Sequence, residues 1–154
     1  MQILKAHLPR HLPAIRELFI EYARSIEVDL CFQDFNRELA QLPGRYAPPE
    51  GRLLLAREGK HPAGCVALRQ IGDEVCEMKR LYVRPVFRQQ GLGRRLAEKI
   101  ICGAREIGYE RMRLDTLAAM TEATQLYESL GFQRIPPYYD NPHSGVVFLE
   151  LKLD

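Results

Sequence analysis

The chain has 154 residues, of which 46% are hydrophobic and 27% are charged, and its formal net charge at pH 7 is +2. This length suits one domain with a substantial core, and the small charge excludes the strongly basic surface typical of duplex-DNA-binding domains. No apolar run reaches the roughly 20 residues that span a bilayer, and the N-terminus lacks the apolar stretch of a signal peptide. We therefore expect one cytoplasmic domain over residues 1–154 that binds neither nucleic acid nor membrane.

The cysteines and histidines show no metal-binding pattern. The four cysteines form no C-x-x-C pair and have no histidine at ligand spacing: Cys31, Cys65, Cys76 and Cys102. Scattered thiols of this kind are typical of small buried side chains in a reducing compartment. We predict no metal site.

Hydrophobic periodicity predicts an α/β chain. In the first half, the pattern predicts a strand at residues 2–6, helices at about 9–25 and 34–41, and strands at 52–58, 63–71 and 75–83. In the second half, it predicts a helix from about residue 91, a strand at 111–116, a helix at 121–130 and a strand at about 146–153. Gly131 can close the last helix as a left-handed cap. This order predicts helices layered on a mostly antiparallel sheet.

A polar loop containing two glycines joins the strand that ends near residue 83 to the helix that begins near residue 91. Helix N-termini carry unpaired N–H groups and attract phosphate, and Gly91 and Gly93 let a ligand approach the backbone closely. Neither the P-loop pattern nor the dinucleotide pattern G-x-G-x-x-G occurs here. The loop therefore predicts a polyanion site, with solvated arginines at an ordinary helix start as the alternative. Four arginines surround it: Arg84, Arg88, Arg94 and Arg95.

Three segments resemble the GNAT superfamily of acyl-CoA-dependent N-acyltransferases. The run RQQGLG at 88–93 is similar to the family signature R/Q-x-x-G-x-G/A, and EMKRLYVRP at 77–85 resembles its fourth strand. The run ATQLYESLGF at 123–132 resembles its late A-x-x-L-Y-E-x-x-G-F segment. The order of predicted elements also agrees, so the resemblance covers nearly the whole chain. It implies a GNAT-like domain whose mixed, mostly antiparallel sheet is flanked by helices and has splayed fourth and fifth strands.

The resemblance also implies acetyl-CoA as the acyl donor. Main-chain groups of Leu81 and Val83, beside Tyr82, would bind pantetheine, and the Leu81 N–H is a candidate to polarise the thioester carbonyl. Met120 replaces an asparagine that contacts pantetheine in many members, which puts one contact in doubt. The loop residues that would hold the pyrophosphate are Arg88, Gln89, Gln90, Gly91, Leu92, Gly93 and Arg94.

Two catalytic roles follow from the same resemblance. Tyr127 matches the tyrosine that protonates the departing thiolate in many members, although its helical face also suits a core residue. Glu77 occupies a fourth-strand position where several members place the base that deprotonates the acceptor amine. An exposed pairing of Glu77 with Lys79 is the alternative, and a water chain could replace the base.

Two segments are candidate borders of the acceptor site. The proline-stiffened run at 136–142 carries Tyr138, Tyr139 and Asn141, which could form a substrate wall or a plain rigid connection. The loop at 26–35 carries Glu27 and Asp29, which could meet a cationic group.

We expect acetyl transfer to a small-molecule amine such as an amino acid, a polyamine or an amine-bearing antibiotic. Acetylation of a protein lysine or N-terminus is the first alternative. A non-catalytic acyl-CoA sensor is the second. Exposed strand edges make a homodimer possible.

Overall fold

The computed structural model describes residues 1–26 and 34–153, and within them seven strands form one sheet in the order β1-β2-β3-β4-β5-β7-β6. The strands are β1 (Gln2–Lys5), β2 (Arg52–Glu58), β3 (His61–Gly72), β4 (Val75–Val83), β5 (Arg111–Leu117), β6 (Gln133–Ile135) and β7 (Val146–Lys152). The helices are α1 (Leu12–Ser25), α2 (Phe35–Ala40), α3 (Leu92–Ile107) and α4 (Thr121–Ser129). The predicted order of layered elements is confirmed, and Gly131 has the expected left-handed conformation after α4, with φ 104°.

The sheet divides into two antiparallel halves that meet at one short parallel contact. Strands β1 to β4 pair antiparallel in sequence, and β7 pairs antiparallel with both β5 and β6. Strands β4 and β5 pair only where Val75–Glu77 faces Arg111–Arg113. Beyond those residues each strand continues without pairing to the other, which indicates that the two strands diverge. The predicted splay is therefore confirmed, and it opens a gap in the centre of the sheet.

Helices cover both faces of the sheet. Alternate residues of β2 point to opposite faces, so Leu54 packs in the cluster beneath α3 while Leu53 and Leu55 pack in the cluster beneath α1. The apolar stripe of α3 is fully buried at Leu96 and Ile100. This packing fixes the start of α3 beside the end of β4, where the predicted polyanion loop lies.

A β-bulge interrupts β4 at Arg80. The β3–β4 register shifts between Cys65 and Ala67, and Arg80 adopts a left-handed φ of 61°. A non-glycine residue in this conformation costs about 1–2 kcal/mol. The buried Arg80 guanidinium offsets that cost with two hydrogen bonds to Glu38 on α2, at 2.9 and 3.0 Å. The bulge thus removes the backbone of Leu81 from the regular hydrogen-bonding register between β3 and β4.

Three local features differ from the sequence-based expectations. Strand β3 begins at His61, and Pro62 pairs with Arg57 across a bulge that accommodates the missing proline N–H. Strand β6 was not predicted, because its three residues are largely exposed and show no alternation. Cys102 is exposed on α3, so the expectation of buried thiols is wrong at that position.

Candidate active site

The gap between β4 and β5 widens into a groove with a volume of about 880 Å³. One wall is the end of β4 and the loop that follows it, and the other wall is the segment from Leu117 to Ala123. An inner pocket of about 110 Å³ continues from the groove, with Leu81, Met120 and Ala123 lining both spaces. The cavity can therefore hold an elongated ligand that ends in a small chamber.

The loop before α3 presents its backbone to the groove. Gln89 and Gly91 both have left-handed φ values, of 64° and 74°, and α3 begins at the next residue, Leu92. The Arg88 guanidinium donates to the Val83 carbonyl at 2.9 Å and lies over the Tyr82 ring, 5.8 Å from its centroid. The unpaired N–H groups of the first turn of α3 are suited to a phosphate.

The structure brings most predicted donor-binding residues together. Eight of them line the groove: Leu81, Tyr82, Val83, Arg88, Gln89, Gly91, Leu92 and Gly93. Gln90 is an exposed loop residue that does not line it, and Arg94 donates a hydrogen bond to the Ser129 hydroxyl on α4. Met120 lines the groove, at the position where an asparagine was expected.

Of the four arginines assigned to the polyanion site, only Arg88 lines the groove. Arg84 forms ion pairs with Glu17 and Glu21 on α1, at 2.8 and 2.7 Å, which holds α1 against β4. Arg95 lines a different groove, beside β1 and β2. Arginines that are close in sequence along this segment point in different directions, so sequence proximity overstated the positive charge at the loop.

Tyr127 is both a core residue and a pocket residue. Its ring packs in the central cluster, with its centroid 5.8 Å from that of Phe132, and the side chain also lines the inner pocket. Burial raises the pKa of Tyr127, so the hydroxyl keeps its proton across the neutral range. Within residues 1–26 and 34–153, that hydroxyl has no hydrogen-bond partner, which leaves it available to a ligand.

Glu77 lies deeper in the protein than the pocket. Its carboxylate is 2% exposed, accepts hydrogen bonds from Arg69 at 2.9 Å and from the Tyr138 hydroxyl at 2.6 Å, and is 3.9 Å from Lys79 Nζ. Burial alone would raise the pKa of Glu77, but Lys79, Arg69 and Tyr138 outweigh it and hold that pKa below its ordinary value. Glu77 is not among the described residues that line the pocket.

Two adjacent tyrosines connect the segment before β7 to the two splayed strands. Tyr138 donates to Glu77 on β4, and Tyr139 donates to Asp115 on β5, both at 2.6 Å. Asn141 donates to the Tyr139 hydroxyl at 2.8 Å and lines the inner pocket. The segment predicted as a border of the acceptor site therefore contacts both strands at the point where their pairing ends.

Several residues that line the pocket were not identified from the sequence: Tyr22, Lys79, Asp115 and His143. The available signal was in β5, where Met112 and Leu114 face the core and the alternation places Asp115 on the other face. Glu27 and Asp29 lie outside the described residues.

Among residues 1–26 and 34–153, no group of three or more His, Cys, Asp or Glu side chains could hold a metal ion. The helices in the described part of the chain are all too short or too polar to cross a membrane.

Comparison with known proteins identifies the family. The model of the acetyltransferase (GNAT) family matches residues 12–132. An uncharacterised N-acetyltransferase of Schizosaccharomyces pombe is 41% identical over 155 residues, which cover 99% of this chain and 95% of that protein. An acetyltransferase structure from Streptococcus agalactiae superposes with a TM-score of 0.80 at 26% identity, covering 99% of this chain and 98% of that one. The structure of YncA from Salmonella typhimurium, solved with its cofactor acetyl-CoA, superposes with a TM-score of 0.69 at 23% identity. The match covers 100% of this chain and 94% of that one. The chain therefore belongs to the GNAT family of acetyl-CoA-dependent N-acetyltransferases.

Proposed function

We propose that this enzyme transfers the acetyl group of acetyl-CoA to a primary amine of a small molecule. The observation that carries the proposal is the continuity of the donor groove with an inner pocket of only about 110 Å³. Leu81 and Tyr127 both line that pocket, so an acyl group and an acceptor amine placed there would lie beside a backbone donor and a phenol. A chamber of this size suits a small acceptor better than a protein surface.

The groove is open where the pyrophosphate of the donor is expected. No atom lies within 4 Å of the place where a Cβ of Gly91 would be, so the loop backbone is open to the pyrophosphate. Acetyl-CoA supplies the activated thioester. The Leu81 N–H, displaced by the bulge, is the proposed donor to the oxyanion that develops on the thioester carbonyl.

Tyr127 is the proposed acid that protonates the departing sulfur. The role of Glu77 as a base stays a prediction, and its burial with Arg69 and Tyr138 gives it little access to an acceptor. Tyr138, Tyr139 and Asn141 are proposed as the acceptor wall, because Asn141 lines the inner pocket and the two tyrosines bond the two strands that border the gap. A cytoplasmic location, one domain over 1–154 and a homodimer also stay predictions.

A thiol-release assay with acetyl-CoA tests the proposal. The panel comprises amino acids, polyamines, aminoglycosides and lysine peptides, and we expect turnover with one class of small amine. Turnover confined to lysine peptides would favour protein acetylation. Acetyl-CoA binding without release by any amine would favour an acyl-CoA sensor.

Arg88→Ala is expected to raise the Kd for acetyl-CoA about 10-fold, measured by calorimetry, because a charged donor at the groove is lost. The effect should diminish as salt rises. Arg95→Ala is the matched control, since this exposed arginine lines the other groove. Equal losses of affinity in the two variants would contradict the placement of the pyrophosphate.

A further inference from the structure

Among residues 1–26 and 34–153, Asp115 is the one carboxylate that lines the inner pocket. It lies on β5 beyond the last residue that pairs with β4, and it pairs with Phe148 of β7 on the other side, so it borders the gap and its side chain lines the pocket. One oxygen, Oδ2, accepts the Tyr139 hydroxyl at 2.6 Å, and Asn141 in turn donates to that hydroxyl. In the described part of the chain the other oxygen, Oδ1, accepts no hydrogen bond. The carboxylate is thus oriented on one side and open on the other.

The contrast with Glu77 is geometric. Arg69 and Tyr138 occupy one oxygen each of the Glu77 carboxylate, which is 2% exposed and sits outside the pocket lining. Asp115 is half-buried and shares the pocket with Tyr127. A carboxylate that meets an acceptor needs a free lone pair and access to the cavity, and Asp115 has both.

We propose that Asp115 binds the acceptor ammonium and accepts the proton that the amine loses before attack. This inference rests on the proposed function. The nitrogen lone pair then forms the C–N bond with the thioester carbon, the C–S bond breaks, and its electron pair leaves on sulfur. Tyr127 protonates the thiolate and regains a proton from the nitrogen. The proton on Asp115 passes to solvent, so the alkylammonium and acetyl-CoA give an N-alkylacetamide, CoA-SH and one proton.

Tyr139 and Asn141 act as positioning residues for this carboxylate, because Tyr139 donates to Asp115 and Asn141 donates to Tyr139. Other titratable or charged groups line the same pocket: Tyr22 on α1, Lys79 and Arg80 on β4, Tyr127 on α4 and His143 before β7. Burial lowers the pKa of Lys79, whereas Glu77 and Asp115 both act to raise it, so either substitution perturbs this neighbour, and only a pH-dependent recovery confined to the Asp115 variant reports on the pocket carboxylate.

Asp115→Asn is the test, since the amide keeps an acceptor for Tyr139 and removes the charge. The variant is assayed with propylamine as a simple probe and with the best amine of the panel. We expect kcat/KM at pH 7 to fall about 10- to 100-fold, because a hydrogen bond to a charged group is lost. The deficit should shrink as pH approaches the pKa of the amine, because a neutral amine needs no carboxylate partner. The Kd for acetyl-CoA should not change.

Glu77→Gln is the matched control and should lack the pH-dependent recovery. An Asp115→Asn enzyme with the wild-type pH profile would overturn the inference while leaving the proposed function intact. Calorimetry measures acceptor binding without the acetyl-transfer reaction. Propylammonium should bind more tightly to the CoA-loaded wild type than to the CoA-loaded Asp115→Asn variant. Equal binding, or none to the wild type, would also overturn the inference. A panel without any turnover would instead be a failure of the proposed function.

Discussion

Tyr127→Phe is expected to lower kcat by about 100-fold, because general acid catalysis typically contributes factors of 10² to 10⁴. The substitution removes one oxygen from a side chain that packs in the core and leaves the ring contact with Phe132 intact. Burial raises the pKa of Tyr127, so its proton is retained well above neutral pH, and its ionisation should cause no fall in kcat below about pH 10. Steady-state thiol release between pH 6 and 10 measures both effects.

Tyr46→Phe is the matched control for that experiment. Tyr46 is also buried, at 2% exposure, and its hydroxyl has no hydrogen-bond partner among the described residues. Removing that hydroxyl should leave kcat unchanged and should not reduce the free energy of unfolding. If Tyr127→Phe behaved in the same way as Tyr46→Phe, Tyr127 would be a core residue without a catalytic role.

Glu77→Ala is expected to lower the free energy of unfolding by about 3–5 kcal/mol, the usual cost of breaking a buried ion pair from one side. The substitution strips Lys79, whose side chain is 6% exposed, and Arg69 of their carboxylate partner and deprives the Tyr138 hydroxyl of its acceptor. Urea unfolding measures the loss. Glu150→Ala is the matched control: Glu150 pairs with Arg113 at 2.8 Å, but both side chains are partly exposed, so about 1 kcal/mol or less is expected. Equal losses would show that Glu77 contributes no more than a surface pair.

The pH dependence of stability provides a second measurement on Glu77. Its pKa is lower in the folded protein than in the unfolded chain, so the folded state favours the ionised carboxylate. This contribution is complete above the unfolded pKa of about 4.5 and is lost as pH falls through the lower folded pKa. The wild type should therefore lose more stability than Glu77→Gln between about pH 5 and 3. Parallel curves would contradict the depressed pKa.

The donor half of the site could be predicted from the sequence because its signals are local. The glycine-containing loop and the helix after it lie within one run of residues, and the groove is lined by eight of the assigned residues, including Gly91 and Gly93. Periodicity also predicted the helices and all strands except β6. Local chemistry and local structure agree in this part of the chain.

The acceptor half depends on contacts between residues distant in sequence. Glu77 reads as a strand residue beside Lys79, and only the fold brings Tyr138 to it across 61 positions. The left-handed Arg80 was equally hidden, because its compensation comes from Glu38 on a separate helix. Asp115 belongs to no recognisable sequence motif. Its exposure to the pocket depends on where β4 and β5 stop pairing, which the sequence alone does not indicate.

The tyrosine pair at 138 and 139 bears on how acceptor preference can change in this protein. The donor groove is formed by strand backbone and a helix start, whereas Asn141 and His143 reach the pocket from a connection outside the regular elements. Substitutions or insertions after Asn141 would reshape the chamber while both tyrosine anchors and the sheet stay in place. Libraries aimed at new amine acceptors therefore belong at residues 142–145, whereas substitutions on β4 that alter selectivity would also destabilise the fold.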